Sequence, residues 1–504
     1  MQGTLKTIGS LTVLKIIAAI TGLAYSVLQV RYFGANAAMD AYFVALTAVY
    51  VITSIVQGGQ LAEVFLPEYL KVKSEHSAEQ AHQLFSAMMN RVLVVVAVFS
   101  LVMYFLAPLL IRVLGVGLPQ EYQVLATDFF RVALLLILFT LFSAFVNATL
   151  NAEHVYGRTE LTGLINSLLS LSLIVLFHQA VGLWILVYAL LAGKVVELAT
   201  GIFFLKKAGV KYYPIWRIAD YELNRFFKVL YVTSGYVGAT QFYTTVLTAV
   251  TSLLPEGTLS IFNYVNQLST KASGIVLMPI STIFFSKFAT LVAQQKTNLT
   301  SYLTKPLMVM LIIAGTMLAF IILVGNELLS MLWSEKTLTP TDFKLAYLML
   351  VLNFVGILFS SIGGIFRKSA ISMGAAKQLY FRWIVVQLFC AVYSYSVITA
   401  LGTLGLASIL PLNMTLMAGV SVYSAHREGI DVYALLKDLL FHNSGIILLV
   451  LLVISSWCIF YLTLPLRSSV LLSFAVKILA IGGLYVLTAI VFRREILGIY
   501  KANK

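Results

Sequence analysis

Apolar residues fill this chain in long runs separated by short polar clusters. A helix needs roughly 20 residues to cross the hydrocarbon core of a bilayer. Runs of that length give fourteen predicted spans, at about 8–30, 41–66, 92–115, 126–149, 159–178, 182–205, 228–253, 260–286, 305–333, 345–366, 379–400, 402–424, 444–463 and 468–491. Very short turns separate spans five and six, and spans eleven and twelve. The pattern predicts an all-α polytopic membrane protein of about 14 transmembrane helices: two six-helix lobes, at 1–205 and 206–430, and two extra helices with a tail at 431–504. The longest loop, about 206–227, is too short to form a domain.

Composition points the same way. The 504 residues are 60% hydrophobic and 11% charged, with a mean hydropathy of +0.94. So few charges could not cover the surface of a soluble protein of this size. The net charge of +14 raises nucleic acid as a partner, but its distribution argues against one. Basic residues crowd alternate loops, with Lys206, Lys207, Lys211, Arg217, Arg225 and Lys228 together in one of them. The opposite side carries Arg31, Arg112, Arg131, Lys336, Lys344 and Arg467. That asymmetry predicts both termini inside. Ala35-Asn36-Ala37 resembles a leader cleavage site, but the apolar run from Ile8 to Val30 is far longer than a leader core and Arg31 follows it, so it reads as a retained first helix. Cys390 and Cys458 lie far apart in apolar runs and give neither a disulfide framework nor metal-ligand spacing.

The chain carries an internal echo. RYFGANAAMDAYFVAL (31–46) and SLLPEGTLSIFNYVNQL (252–268) each end one helix, turn at a glycine and open another. The two turns stand six spans apart, and an even offset implies a parallel repeat about an axis along the membrane normal.

Polar residues inside spans are the candidate chemistry. Asn263, Gln267 and Lys271 recur every four residues and form one stripe on a helix. An ionisable group at the bilayer centre costs about 2.5–3.5 kcal/mol and normally faces a protein interior or a watery cavity. Lys271 lies roughly 16 Å or more from either end of its predicted span, too deep to snorkel. The stripe therefore reads as a cavity wall, against the alternative of interhelical hydrogen bonding. Lys194 and Glu197 stand three apart, the spacing of an intrahelical ion pair; they either neutralise each other between packed helices or line the cavity. Lys15 shares a narrow face with Ala19, Gly22 and Ser26, suited to a cavity wall or a close helix contact. Gly58 and Gly59, in QGGQLAE (57–63), weaken their helix next to Glu63 and mark a candidate hinge or coupling point. Asp40 reads as a cap of the second helix, and Lys477 has no polar stripe around it.

Acidic groups within the spans are few, Glu63 and Glu197 being the clearest, so the polar inventory of the expected cavity is net cationic. That suits an anionic cargo such as a phosphate or pyrophosphate and not an organic cation. The sequence holds no D-x-D, no H-E-x-x-H, no phosphate-binding glycine loop and no paired carboxylates near a loop, so an enzyme and a resident metal or cofactor are not expected.

Several stretches resemble the MurJ/MviN lipid II flippases of the multidrug/oligosaccharidyl-lipid/polysaccharide exporter superfamily. They are RYFGANAAMDAYFVAL, FLPEY (65–69), FLKKAGVKYYP (204–214), LLPEGTLSIFNYVNQL and IVLMPISTIFFSKFATLVAQ (275–294). The resemblance runs from the first helix to about residue 300. It implies two lobes around a central cavity, a groove for a polyprenyl tail at the last two helices, and alternating access by lobe rocking. In the family, arginines of helices one, two and eight are thought to hold the diphosphate head. The corresponding positions here are Ala19 and Tyr25, with Ser26 for an acidic neighbour, then Thr53, Ser54 and Gln267. Lys15 and Lys271 stand one turn from two of these sites as replacement charge.

The expected function is thus a flippase in the bacterial cytoplasmic membrane, moving an undecaprenyl-diphosphate-linked oligosaccharide to the outer leaflet for capsule, exopolysaccharide or O-antigen assembly. Lys271, Gln267, Asn263, Lys15, Tyr25, Ser26, Lys194 and Glu197 are the candidate cargo contacts. Alternatives are a lipid II flippase and a cation-coupled small-molecule antiporter, with a membrane enzyme or scaffold further off. Membrane potential, H⁺ or Na⁺ could drive it. A monomer working with a polymerase and glycosyltransferases of its pathway is expected.

Overall fold

The computed structural model describes residues 2–57, 61–153, 155, 157–216, 223–294, 299–333, 337–439 and 477. Every element among them is an α-helix. The chain divides into two units, Met1–Ser260 and Ile261–Lys504. The first contains α1 (Gln2–Phe33), α2 (Ala37–Gln57), α3 (Leu61–Glu75), α4 (Ala78–Leu114), α5 (Gln120–Ala152), α6 (Arg158–Val181), α7 (Trp184–Lys207) and α8 (Leu223–Thr251). The second contains most of α9 (Thr258–Ala293), then α10 (Leu299–Leu332), α11 (Pro340–Ser372), α12 (Ala376–Leu401), α13 (Thr403–Arg427) and the short α14 (Val432–Lys437).

Eleven predicted spans each fall on one helix. The exception is 41–66: α2 ends at Gln57 and α3 starts at Leu61, and α3 runs on to Glu75 through Lys71 and Lys73. The candidate hinge glycines Gly58 and Gly59 fall between them in sequence, outside the described residues, as do the span at 444–463 and, but for Lys477, the span at 468–491. Among the described residues nine helices are long and apolar enough to cross a membrane. On α4, Leu93, Val95, Val98, Leu101, Phe105 and Leu109 are exposed, up to 71% at Phe105. A soluble protein would not leave such a face in water, and lipid is its natural solvent.

In the first unit α5 packs on α2, α4 and α7, while α6 packs on α7 and α1. In the second, α11 is central, against α10 and α13. Small residues let α11 and α13 approach closely: a Cβ at Gly363 would sit 2.5 Å from the Ala418 Cα, and one at Gly356 would sit 2.8 Å from the Pro411 Cα. This is how helices pack where no hydrophobic effect drives them together. Gly363→Leu is expected to cost about 1–3 kcal/mol by overpacking, read as a lower melting temperature in detergent. Gly364→Ala, whose Cβ meets nothing within 4 Å, serves as the control. Equal melting of the two variants would exclude Gly363 as a packing determinant.

The short turns after spans five and eleven rest on glycines in the left-handed region, Gly182 (φ 65°) and Gly402 (φ 58°), where a Cβ would be strained. They form one of four such pairs. Gly34 and Gly257 follow spans one and seven, Gly157 and Gly374 precede spans five and eleven, and Gly209 and Gly429 follow spans six and twelve. The members of each pair stand 217 to 223 residues apart. Together they account for all the positive-φ glycines among the described residues.

Candidate functional site

The stripe predicted in span eight lies on α9. Lys271 is thirteen residues into that helix, about 20 Å along its axis. Its Nζ lies 3.5 Å from the Gln267 Oε1, one turn earlier. Asn263, Gln267 and Lys271 are all half-buried. The ammonium thus lies along its own helix, facing an amide.

On α1, Ser26 is buried and donates to the Gly22 carbonyl at 3.1 Å. The Tyr25 hydroxyl is enclosed beside Tyr42 and Gln29, and Gln29 Nε2 reaches the Tyr42 hydroxyl at 3.5 Å. Lys15 belongs to α1 and Glu63 to α3, and their side chains lie outside the described residues. Thr53 donates to Val49 of its own helix at 2.7 Å.

Lys194 and Glu197 meet as their spacing predicts, Nζ to Oε2 at 2.7 Å. The same Oε2 also accepts from Asn166 Nδ2 of α6 at 2.6 Å. Ser170 donates to the Ala189 carbonyl at 2.9 Å. Gly193 leaves room for this cluster, since a Cβ there would lie 2.0 Å from the Asn166 Oδ1 and 2.4 Å from the Ser170 Oγ. The Glu197 side chain is 8% exposed and that of Lys194 27%. Glu197 is therefore a clasp between α6 and α7, and Lys194 is its more accessible partner. Asn166 was not singled out in the sequence because its partner lies 31 residues away.

Asp40 does not cap α2. Asn36 does so, its Oδ1 accepting from the Met39 N–H at 2.9 Å. The Asp40 carboxylate, one turn in, accepts from the backbone N–H groups of Gly257 and Ser260, each at 2.7 Å, and from the Ser260 hydroxyl. It thereby ties down the turn that opens α9, and α9's first N–H groups attract a negative charge. The same turn is held at Gly117, whose N–H donates to Ser252 Oγ at 3.0 Å. A Cβ at Gly257 would lie 2.7 Å from the Ala35 carbonyl oxygen. Hydrogen bonds to a charged group contribute about 1.5–3 kcal/mol. Asp40→Ala should therefore raise amide exchange at Gly257 and Ser260 by at least ~10-fold, measured by hydrogen–deuterium exchange. Unchanged protection would show that the turn is held without Asp40.

Two acidic clusters emerge that sequence reasoning had passed over. Glu153, just after α5, accepts from Tyr69 Oη at 2.8 Å and from Lys73 Nζ at 2.7 Å, both on α3. Burial pushes its carboxyl upward, but the hydrogen bonds from Lys73 and Tyr69 and the Lys73 charge outweigh this and hold it below the usual carboxylate range. The contribution to stability is therefore in full above that range and is lost as pH falls through the lowered value. Glu327, on α10, is 4% exposed and forms an ion pair with Lys477, which is 1% exposed. Among the described residues no group of three His, Cys, Asp or Glu is placed to hold a metal ion.

Comparison with known proteins places this architecture. The sequence profile of the family described as "Lipid II flippase MurJ" matches residues 29–487. The probable lipid II flippase MurJ of Thermotoga maritima is 23% identical over 373 residues, 73% of this chain and 74% of its own. The Aquifex aeolicus protein of the same description is 28% identical over 286 residues, 56% of this chain and just over half, 55%, of its own length. Among solved structures, the inward closed conformation of lipid II flippase MurJ superposes with a TM-score of 0.76 at 19% identity, covering 96% of this chain and 99% of that one. An inward-facing MATE family multidrug resistance transporter of the MOP superfamily gives 0.66 at 16% identity, covering 84% and 96%. The chain belongs to the MurJ family of membrane lipid flippases, which are transporters and not enzymes.

Proposed function

We propose that this flippase carries an undecaprenyl-diphosphate-linked oligosaccharide from the inner to the outer leaflet of the bacterial cytoplasmic membrane, for capsule, exopolysaccharide or O-antigen assembly. The observation that carries the reading is the α9 stripe. A single ammonium, Lys271, stands one turn beyond an amide, Gln267, at a position where the family resemblance implies an arginine. One lysine offers a point charge to a diphosphate, while amides suit sugar hydroxyls; an arginine fork would favour bidentate phosphate recognition. The basic loop at Lys206, Lys207 and Lys211 lies inside in this reading, as the positive-inside rule requires. The Asp40 clamp then lies at the outer end of the first unit. Membrane potential acting on the anionic head group is the simplest drive, with H⁺ or Na⁺ coupling as the other routes.

Lipid II is the second reading, and it is favoured by the name carried by the matched relatives. The two separate in one experiment. In a strain lacking the gene, the lipid-linked glycan accumulating on the inner leaflet is extracted and identified by mass spectrometry. A polyprenyl-diphosphate oligosaccharide without peptide supports the first reading. Accumulated lipid II, with rescue of a strain depleted of its own lipid II flippase, replaces it with the second.

A further inference from the structure

The first unit holds a cavity that shares no lining residue with the α9 stripe. About 380 Å³ in volume, it opens between α4, α5 and α7, with Leu93, Phe142 and Ile202 among its walls and Asn90, Lys206 and Tyr212 at one end. Its volume lies within the usual range for small-molecule pockets. Leu93 and Ile202 are exposed, as is the neighbouring Phe203 at 61%. On this helix surface exposure means lipid, so the mouth opens to the bilayer.

The polar end is built by the segment 208–216, which crosses back over α4. The Tyr213 N–H donates to Ser86 Oγ at 3.0 Å, and the Tyr212 hydroxyl donates to Asn90 Oδ1 at 2.5 Å. Asn90 Nδ2 in turn donates to the Ile215 carbonyl at 2.9 Å, and Arg91 Nε to the Trp216 carbonyl at 2.9 Å. These bonds fix the roof of the cavity. Lys206, exposed, lines the cavity beside them.

We infer that this cavity binds one anionic phospholipid, with an acyl chain among Leu93, Phe142 and Ile202 and the phosphate at Lys206. The occupant follows from the polarity of the site. It is apolar along its length, open to hydrocarbon and positive at one end. Basic pockets between transmembrane helices recruit anionic head groups in this way, each lysine contributing about 1 kcal/mol. A neutral lipid would leave that end without a partner, and a free phosphate would leave the apolar walls unfilled.

The test uses the full chain in nanodiscs, with Phe142→Trp as a fluorescent reporter and bromine on the lipid acyl chains as quencher. Brominated phosphatidylglycerol is expected to quench the added tryptophan about fivefold more effectively than brominated phosphatidylcholine, the ratio that ~1 kcal/mol provides. Adding Lys206→Gln should remove the preference. Equal quenching by the two lipids, or none, overturns the proposal. So does displacement of the brominated lipid by undecaprenyl phosphate, which would assign the cavity to the cargo's tail. Native mass spectrometry of the unmutated protein gives a reading free of the reporter: one phosphatidylglycerol is retained, and Lys206→Gln loses it. A wild-type protein released without that lipid also overturns the assignment.

Discussion

Replacing Lys271 by alanine is expected to abolish export while leaving the protein inserted and folded. Lys271 is half-buried and thirteen residues into α9, where a cation without a task would be costly. A charge-assisted hydrogen bond to a diphosphate oxygen contributes about 1.5–3 kcal/mol, or roughly 10- to 150-fold in affinity. If that bond tightens as the head group passes the bilayer centre, the loss appears in rate as well. Lys271→Arg, which keeps the charge, should retain part of the activity, whereas Lys271→Gln should behave like alanine. The measurement is the surface glycan made by a strain that depends on the variant, with membrane abundance determined alongside. Wild-type export by Lys271→Ala would remove the residue from the mechanism.

Lys477→Met is expected to have the largest effect on stability. Lys477 and Glu327 are both almost wholly enclosed and form an ion pair. Removing one member of a buried pair strands the other, at a cost of about 3–5 kcal/mol, a large share of the roughly 5–15 kcal/mol that keeps a domain folded. The single variant should melt far below the wild type or fail to accumulate. The double variant Glu327→Gln, Lys477→Met removes both charges and should recover most of the loss. A Lys477→Met protein that melts with the wild type would show that Glu327 is held by other neighbours.

The sequence revealed local features and left distant partnerships hidden. Helix spans depend on runs of adjacent residues, so their positions were readable, down to the turns at Gly182 and Gly402. The Lys194–Glu197 pair was readable because helical geometry relates positions three apart. The Glu327–Lys477 pair spans 150 residues, and no periodicity links such positions. Glu327 itself went unnoticed between apolar neighbours and the end of its span. Asp40 was misread for a similar reason: a carboxylate in a first turn ordinarily serves its own helix, and its actual donors lie 217 and 220 residues onward. The fold of 208–216 over α4 was likewise invisible, because it rests on Ser86, Asn90 and Arg91 from another helix.

The paired left-handed glycines bear on the protein's history. A turn that accepts only glycine resists replacement long after the helices beside it have drifted. Four such turns recurring at nearly constant separation are therefore a more durable record than the weak echo of side chains. They point to an ancestor of about half this length that was duplicated and joined end to end. A copy with the six crossings that the sequence predicts needs no inversion in the membrane on fusion. The two copies then specialised, one acquiring the Asn166–Glu197 clasp and the other the lysine-bearing stripe of α9, on turns that neither could afford to lose.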